Sequence, residues 1–475
     1  MEDLRTWIKN IAAMGELKQI DGAHWDLEIG VLVKLSWVNP NRPALIFDNI
    51  VDYPAGFRVL TGSTATAKRV AHTFNIPQVS STRELVQVFN RKYQGWKQNI
   101  NEFRPKEVTS GPILENILSG KDVNLYRFPA PKWHEDDGGR FIGTGCAFIT
   151  QDPDTGETNL GTYRMQLHDE KTAGVFIQPG HHGRMHIEQY HARKKACPVA
   201  VSLGHNPLVF RIASAEMKAG AEYGMIGAVH GKPVDVIKEE ITGLLIPANS
   251  EIVIAGWCQP NKMKEEGPFG EWTGYYGGGR FPAPVIDIER IYYRNNPILV
   301  GSPPDRAPND SSYYLGVMRS SILQNFLEEC GVPDVAAVWV SEEGGTQLII
   351  VSIKQRYAGH AKQAAILTSQ SAVGTNQGRY VIVVDEDIDP INMQEVLWAV
   401  CTRSDPEKDI DIIRRARSNP LDTMIRKPTK AFHNSVAIID ACKPYEWKDE
   451  FPQEIRIAPE LEARVKGKWP DIFRD

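Results

Sequence analysis

The sequence predicts a mixed α/β chain of several domains, with helix–strand alternation at both ends and a strand-rich middle. Three observations predict it. The chain has 475 residues, 42% hydrophobic and 24% charged, enough for two or three domains around a large core. Its first and third parts alternate helical with extended apolar patterns, as α/β layers do. Between them, short apolar runs are punctuated by Gly, Pro and Asn, the spacing of strands in a β-barrel or sandwich.

The first helix is predicted over 3–15, where Leu4, Ile8, Ile11 and Met14 fall on one face and Gly15 is placed to cap the end. Strands follow at 43–50 (PALIFDNI) and 57–62 (FRVLTG), then helical patterns at 65–75 and 82–92. The middle reads as the strands RFIGTGCAFIT, ETNLGTYRMQLH, AGVFIQP, CPVAVSLG, EIVIAGW, APVIDIERIYYR and PILVGSPP. A helix at 312–328 leads into strands at 335–341 and 346–354, a helix near 359–371, a strand at 379–389 and a helix at 391–401. The domains expected are 1–108, 109–308 and 309–445, with a charged, Pro-rich tail at 446–475 that carries one short helical pattern.

Charge and composition exclude several classes. With 54 Lys and Arg against 59 Asp and Glu, the net charge is −5, which argues against a polyanion-binding surface and so against nucleic acid. No basic-then-apolar leader opens the chain, and no apolar run approaches the roughly 20 residues of a membrane span. The six cysteines (Cys146, Cys197, Cys258, Cys330, Cys401, Cys442) lack CxxC spacing, the pattern of buried thiols in a reducing compartment. The expectation is a cytoplasmic protein.

Several motifs invite a chemical reading. GSTATAK (62–68) fails as a phosphate loop, because Ala67 and Arg69 flank its Lys where Gly and Ser or Thr are needed. HHGRMHIEQYH (181–191) spaces His186 and His191 five apart, one too many for a zinc-protease helix. Those two suit a solvated helix surface, whereas His181 follows Pro179-Gly180 at a strand end, where ligands are often reached. In ETNLGTYRMQLHDE, a strand over 160–167 puts Tyr163, Met165 and Leu167 on one face and Arg164, Gln166 and His168 on the other. Taken alone, an Arg in a strand is more often at the surface; facing a barrel interior it needs a carboxylate mate. Glu222 alone signals nothing. KEEGPFGEWTGYYGGGR (264–280) sets Glu266 and Glu271 five apart around Gly267-Pro268-Phe269-Gly270. A solvated loop and an acid/base pair both fit. Pro268 fixes φ, while Gly267 and Gly270 permit positive φ or close approach. Trp272, Tyr275 and Tyr276 wall a flat pocket or pack the barrel. No Rossmann GxGxxG is present. Asn, His and Glu donors in one protein suit Mg²⁺ or Mn²⁺, which bridge to phosphate, better than a thiophilic metal.

These residues resemble the UbiD-like (de)carboxylases, which use prenylated FMN. The likeness spans nearly the whole chain: DLRTWIKNIAAMGELKQI at the start, NLGTYRMQ, IQPGHHG, GAEYGMIGAVHG, VIKEEITGLLIPANSEIVIAG and EEGPFGEWTGYY in the middle, IKQRYAGHAKQ, VVDEDIDP and EVLWAVCTRSDP toward the end. EGPFGE is the most specific.

The resemblance implies an α+β multidomain fold: a central split β-barrel, similar to flavin reductases, between an N-terminal α/β domain and a dimerising C-terminal α/β domain. It implies reversible, non-oxidative loss of CO₂ from an aromatic, heteroaromatic or α,β-unsaturated acid through a prenylated-FMN adduct. Glu266, Arg164 and Glu271 fall on the family's acid/base triad, with Glu271 as the proton donor and Glu265 solvated. Asn159, His181 and Glu222 fall on its metal site, for Mn²⁺ or Mg²⁺ with K⁺ or Na⁺ nearby; His182 competes with His181. Thr162, Tyr163, Arg164, Met165 and Gln178 join these three as cofactor-binding positions. A flavin prenyltransferase supplies the cofactor, and a homodimer or larger homo-oligomer is implied. Two alternatives stand beside this: a flavin-free, metal-dependent hydrolase on His181, His182 and Glu222, and a subunit of a multi-subunit aryl carboxylase.

Overall fold

A computed structural model describes residues 2–77, 79–425, 432–455 and 457–472. It is a mixed α/β structure in which three larger sheets follow the chain's three parts. The N-terminal sheet runs in the order Leu17–Asp21, Ala44–Asp48, Arg58–Thr61, Ile298–Val300. Its last strand comes from PILVGSPP, so that segment serves this sheet and not the central one, pairing in parallel with Arg58–Leu60.

Helix Leu4–Ala13 lies on this sheet through Leu4, Trp7 and Ile11. The predicted face shifts: Met14 is exposed and Trp7 takes the core position, where its indole N–H finds Thr73 Oγ1 at 3.0 Å. A buried tryptophan with a satisfied N–H outweighs a terminal methionine. Gly15, at φ +74, ends the helix as expected. The helix predicted at 82–92 continues from Thr82 to Asn99. Trp96 extends it, because its ring packs edge-on against Phe89 at 5.6 Å and beside Phe74 at 6.0 Å.

The central sheet has eight strands. Its path is Thr158–Gly161, Ala147–Gln151, Cys197–Gly204, Ile252–Glu266, Phe281–Tyr293, Thr172–Val175, Met165–Leu167, with Asn116–Ser119 also paired to Phe281–Tyr293. Both faces are covered. Phe148, Val199 and Val201 enter an inner core, whereas Ile149 and Ala200 meet helices Pro207–Ala213 and Glu222–His230. That period of two is the pleat itself.

One correction matters for the site. The strand expected across 160–167 is broken. Thr158–Gly161 and Met165–Leu167 are the two edges of the sheet, joined only by Thr162, Tyr163 and Arg164. Four Cα steps reach at most about 14 Å, so the sheet curls until its edges nearly meet. Among the described residues no ladder joins them and no closed barrel forms.

The C-terminal sheet runs Val335–Ser341, Leu348–Ile353, Tyr380–Asp385, His433–Ala441, Ile410–Arg417, flanked by helices Asp310–Glu329, His360–Gln370 and Met393–Arg403. The cysteines divide: Cys146, Cys197, Cys258 and Cys442 are buried and free as expected, but Cys330 and Cys401 are exposed. Among the described residues no helix is long and apolar enough to cross a membrane.

The central hairpin depends on Gly256, which sits at a register shift where an added Cβ would overlap the Asp287 carbonyl oxygen. Gly256→Ala is expected to cost about 1–3 kcal/mol by overpacking. Gly467→Ala, in an open helical position with nothing near its Cβ, is expected to gain about 0.5–1 kcal/mol. Urea unfolding midpoints of the two variants check both signs.

Candidate active site

Arg164 occupies the gap between the two sheet edges. Its Nε and Nη2 donate to the two oxygens of Glu266, each at 2.8 Å, and its Nη1 donates to Glu271 Oε1 at 2.5 Å. The rings of Phe176 and Phe269 flank the guanidinium at 4.7 and 5.6 Å. Glu266 ends the long strand Ile252–Glu266 and is fully buried; Glu271 is 7% exposed, and Glu265 between strand and solvent is exposed.

The two acids differ in environment. Glu266 holds Arg164 in a bidentate fork, the strongest form of such a pair. Glu271 has one contact with the guanidinium. Burial pushes its carboxyl up to about 7; the charge of Arg164 pulls against this and that of Glu266 adds to it. Burial also works against the Arg164 charge, but the two carboxylates outweigh it and hold the pKa above the ordinary arginine value.

The turn carrying the acids is clamped from outside. Gly267 lies at φ +87, where an added Cβ would sit 2.5 Å from the Gly279 carbonyl oxygen. Gly267 N donates to Gln166 Oε1 at 2.8 Å, and Gln166 Nε2 donates to Gly138 O at 2.9 Å. Gly138 N in turn donates to Pro268 O at 2.7 Å. Phe269 is buried and stacks on Phe141 at 3.9 Å. Asp137 accepts from His134 N and Gly270 N. Gly270 departs from expectation: its φ is not positive and its Cβ would meet only ordinary contacts near 3.4 Å. Tyr275 (66% exposed) and Tyr276 are both exposed, so neither packs into the central core.

The remaining residues gather on the Thr158–Gly161 edge. Asn159 and Glu222 are buried, and Asn159 Nδ2 and Glu222 Oε2 have no hydrogen-bond partner. Glu222 opens helix Glu222–His230, and burial raises its carboxyl to about 7 although backbone N–H groups, Leu160's among them, oppose it. Tyr163 is buried; its Oη accepts from Gly183 N at 3.3 Å and its ring meets His181 edge-on at 5.9 Å. His181 is exposed at the N-cap of helix His182–Ala192, and His182 is half-buried in its first turn. Thr162 Oγ1 donates to Cys146 O at 2.9 Å, and Gln178 O accepts from His181 N. Met165 is fully buried in the core beneath Gly143, so any cofactor contact there falls to its main chain.

Two other histidines were misread. His186, expected at the surface, is buried and bonded to Thr150 Oγ1 at 3.0 Å; His191 is half-buried against Cys258 O. Phe141, Asp137 and Gly138 carry no signal of this role in the sequence. Their role is tertiary, more than a hundred residues separating the clamp from the turn, and only Gln166 carried a signal, two residues from Arg164 on the same face.

An Arg–diacid trio thus stands beside the sheet gap, and a buried Asn and Glu with unpaired atoms stand toward the first edge strand. Three family models match in chain order, described as the N-terminal domain (residues 8–89), the Rift-related domain (106–307) and the C-terminal domain (312–441) of 3-octaprenyl-4-hydroxybenzoate carboxy-lyase. The chain belongs to this UbiD family of carboxy-lyases. It is 33% identical to the phenolic acid decarboxylase of Sedimentibacter hydroxybenzoicus over 412 residues, 85% of this chain and 83% of that one. It is 30% identical to the pyrrole-2-carboxylic acid decarboxylase of Pseudomonas aeruginosa over 99% and 98% of the two. Among solved structures, the UbiD-class enzyme HmfF of Pelotomaculum thermopropionicum, in complex with FMN, superimposes with a TM-score of 0.85 at 26% identity, covering 97% and 98%. The vanillic acid decarboxylase of Sedimentibacter hydroxybenzoicus in open form gives 0.85 at 29%, covering both chains fully. The two alternatives gain no support, since the relatives above are named as decarboxylases.

Arg164→Leu would strand two buried carboxylates. The expected loss is about 3–5 kcal/mol at pH 8, read by urea unfolding. The loss should shrink toward pH 5, because protonation then removes the unpaired charges; an equal loss at both pH values would contradict the ion-pair account.

Proposed function

We propose that this chain removes CO₂, reversibly, from an aromatic, heteroaromatic or α,β-unsaturated carboxylic acid with bound prenylated FMN. The observation that carries this is Arg164 held between two buried carboxylates of unlike environment, the arrangement expected when acid and base roles are divided.

Prenylated FMN, when bound, supplies the electron sink that no side chain offers. The chain's own residues position, desolvate and supply a proton. Arg164 holds Glu266 in place through the two-point fork. Glu271, poised near neutrality by burial, holds the proton that the substrate carbon takes when CO₂ departs. Asn159, His181 and Glu222 would hold Mn²⁺ or Mg²⁺ at the cofactor phosphate, with K⁺ or Na⁺ nearby. The unpaired Glu222 Oε2 supports this, because a buried carboxylate oxygen without a partner is rare unless a ligand completes it. Thr162 and Tyr163 in the joint, Met165 at the start of the second edge strand and Gln178 beyond Thr172–Val175 are read as cofactor positions, with His182 the second choice to His181.

The curled sheet is read as a split barrel, supported by the three-residue joint between its edges, and the domains as 1–108, 109–308 and 309–445 with a tail. A flavin prenyltransferase is read as the cofactor's supplier, the compartment as the cytoplasm, and the assembly as a homodimer or larger homo-oligomer.

Protein co-produced with a flavin prenyltransferase is to be screened with aryl and unsaturated acids for CO₂ loss or deuterium exchange. Glu271→Gln is expected to lower turnover by about 10²-fold or more with flavin content unchanged. In the parent protein, turnover should fall as pH rises through about 7, since the acid form of Glu271 is then lost; a flat profile with full turnover in the Gln variant would sink the assignment. Glu222→Ala should instead lose bound flavin and metal, measured by absorbance and elemental analysis. Normal content of both would contradict the metal reading.

A further inference from the structure

The edge strand Met165–Leu167 sends one side chain to the main chain of the acid turn. Gln166, two residues past Arg164, is buried. Its Oε1 accepts from Gly267 N at 2.8 Å, its Nε2 donates to Gly138 O at 2.9 Å, and Gly138 N donates to Pro268 O at 2.7 Å. These three bonds close a ring. The amide has one possible orientation in it, because Gly267 N can only donate and Gly138 O can only accept.

Two glycines make room for the ring. Neither Gly138 nor Gly139 has a positive φ, so backbone freedom does not account for them. A Cβ on Gly138 would lie 1.9 Å from Gly267 O, and one on Gly139 would lie 2.9 Å from Gln166 Nε2. Their segment is tied to the edge strand as well: Leu167 N donates to Arg140 O at 2.9 Å and Ile142 N to Met165 O at 3.0 Å. Strand, segment and turn therefore meet at one buried amide.

Arg164 alone does not place Glu271. Its fork fixes both oxygens of Glu266, but Glu271 has one bond to the guanidinium, at 2.5 Å, and one bond leaves a carboxyl free to pivot. The ring supplies the second reference: Arg164 grips the carboxylates, and Gln166 grips the main chain between them. We propose that Gln166 is a positioning residue, which fixes the turn from Glu266 to Glu271 against the Arg164 edge and so sets where Glu271 stands relative to the guanidinium. This rests on the reading of Glu271 as the proton donor, through which Gln166 acts.

The test is a double-variant cycle in flavin-loaded protein. Gln166→Met keeps the length of the side chain and removes both polar atoms. It is expected to lower kcat by about 10- to 100-fold, with flavin content unchanged and KM within about twofold. In a Glu271→Gln background the same change is expected to cost nothing further, since the acid it positions is gone. An unchanged kcat, or losses that multiply across the cycle, would overturn the proposal. A readout that needs no turnover is the carbonyl infrared band of the buried Glu271 acid, assigned by its loss in Glu271→Gln and followed against pH. Gln166→Met should shift its midpoint. Gln166→Glu keeps the bond from Gly267 but adds a third carboxylate, and should shift the midpoint upward; it carries both measurements if Gln166→Met does not fold. Midpoints that stay at the parent value would overturn the proposal. Shifted midpoints in a protein whose parent releases no CO₂ would overturn the catalytic reading and uphold the positioning.

Discussion

Everything at the site depends on where Arg164 can go. A guanidinium this deeply buried must be paired, and both partners come from one short stretch of the chain, Glu266 and Glu271. The trio then carries one positive and two negative charges in a place poor in water. A net charge there is expensive, and the cheapest relief is a proton on whichever carboxylate is less well paired. Glu266 has both oxygens engaged by the fork, so the proton falls to Glu271, whose carboxyl is raised to about 7. The division of labour between two chemically identical side chains follows from that count of contacts.

The geometry needs a break in the sheet. A continuous strand over 160–167 would have alternated Arg164 regularly with its neighbours inside a ladder, with main-chain groups filling the space the guanidinium now uses. Instead the ladder stops at Gly161 and resumes at Met165. Tyr163 is fixed in the core, hard against Gly161 and Gly183, which have no Cβ to obstruct its ring. With Tyr163 locked inward, its neighbour Arg164 is aimed the other way. The clamp of Gln166, Gly138 and Phe141 then holds the opposing turn.

What was legible in the residues is local. The cost of a buried charge calls for a carboxylate mate to an inward-facing Arg, and turn chemistry allows Gly267 a positive φ or a close approach; that the mate is Glu266, far along the chain, came only from the family resemblance. The C-terminal alternation was visible for the same reason: each strand and helix there carries its own period. What was not legible is tertiary. Nothing in PILVGSPP says that it pairs with Arg58–Leu60 rather than with the neighbouring central strands. The face of the first helix shifted by one residue type because Trp7 found Thr73, a partner sixty-six residues away. His186 looked like a surface residue until the fold brought Thr150 to it. Clamp residues such as Asp137 act only through contacts that a linear pattern cannot display.

Glu222 and Glu271 make an informative pair, since burial raises both to about 7. Glu271 has a resident cation, Arg164, and its elevation persists in spite of it. Among the described residues no cation pairs with Glu222, and one of its oxygens is unpartnered. A group of the first kind is already at its working value and can store a proton. One of the second kind is incomplete: a divalent ion placed there would reverse the shift, turning an unfavourable buried acid into a ligand. In the proposed function the same desolvation would ready one carboxylate to give up a proton and the other to take up a cation, and the difference would lie in whether the fold has already supplied the positive charge.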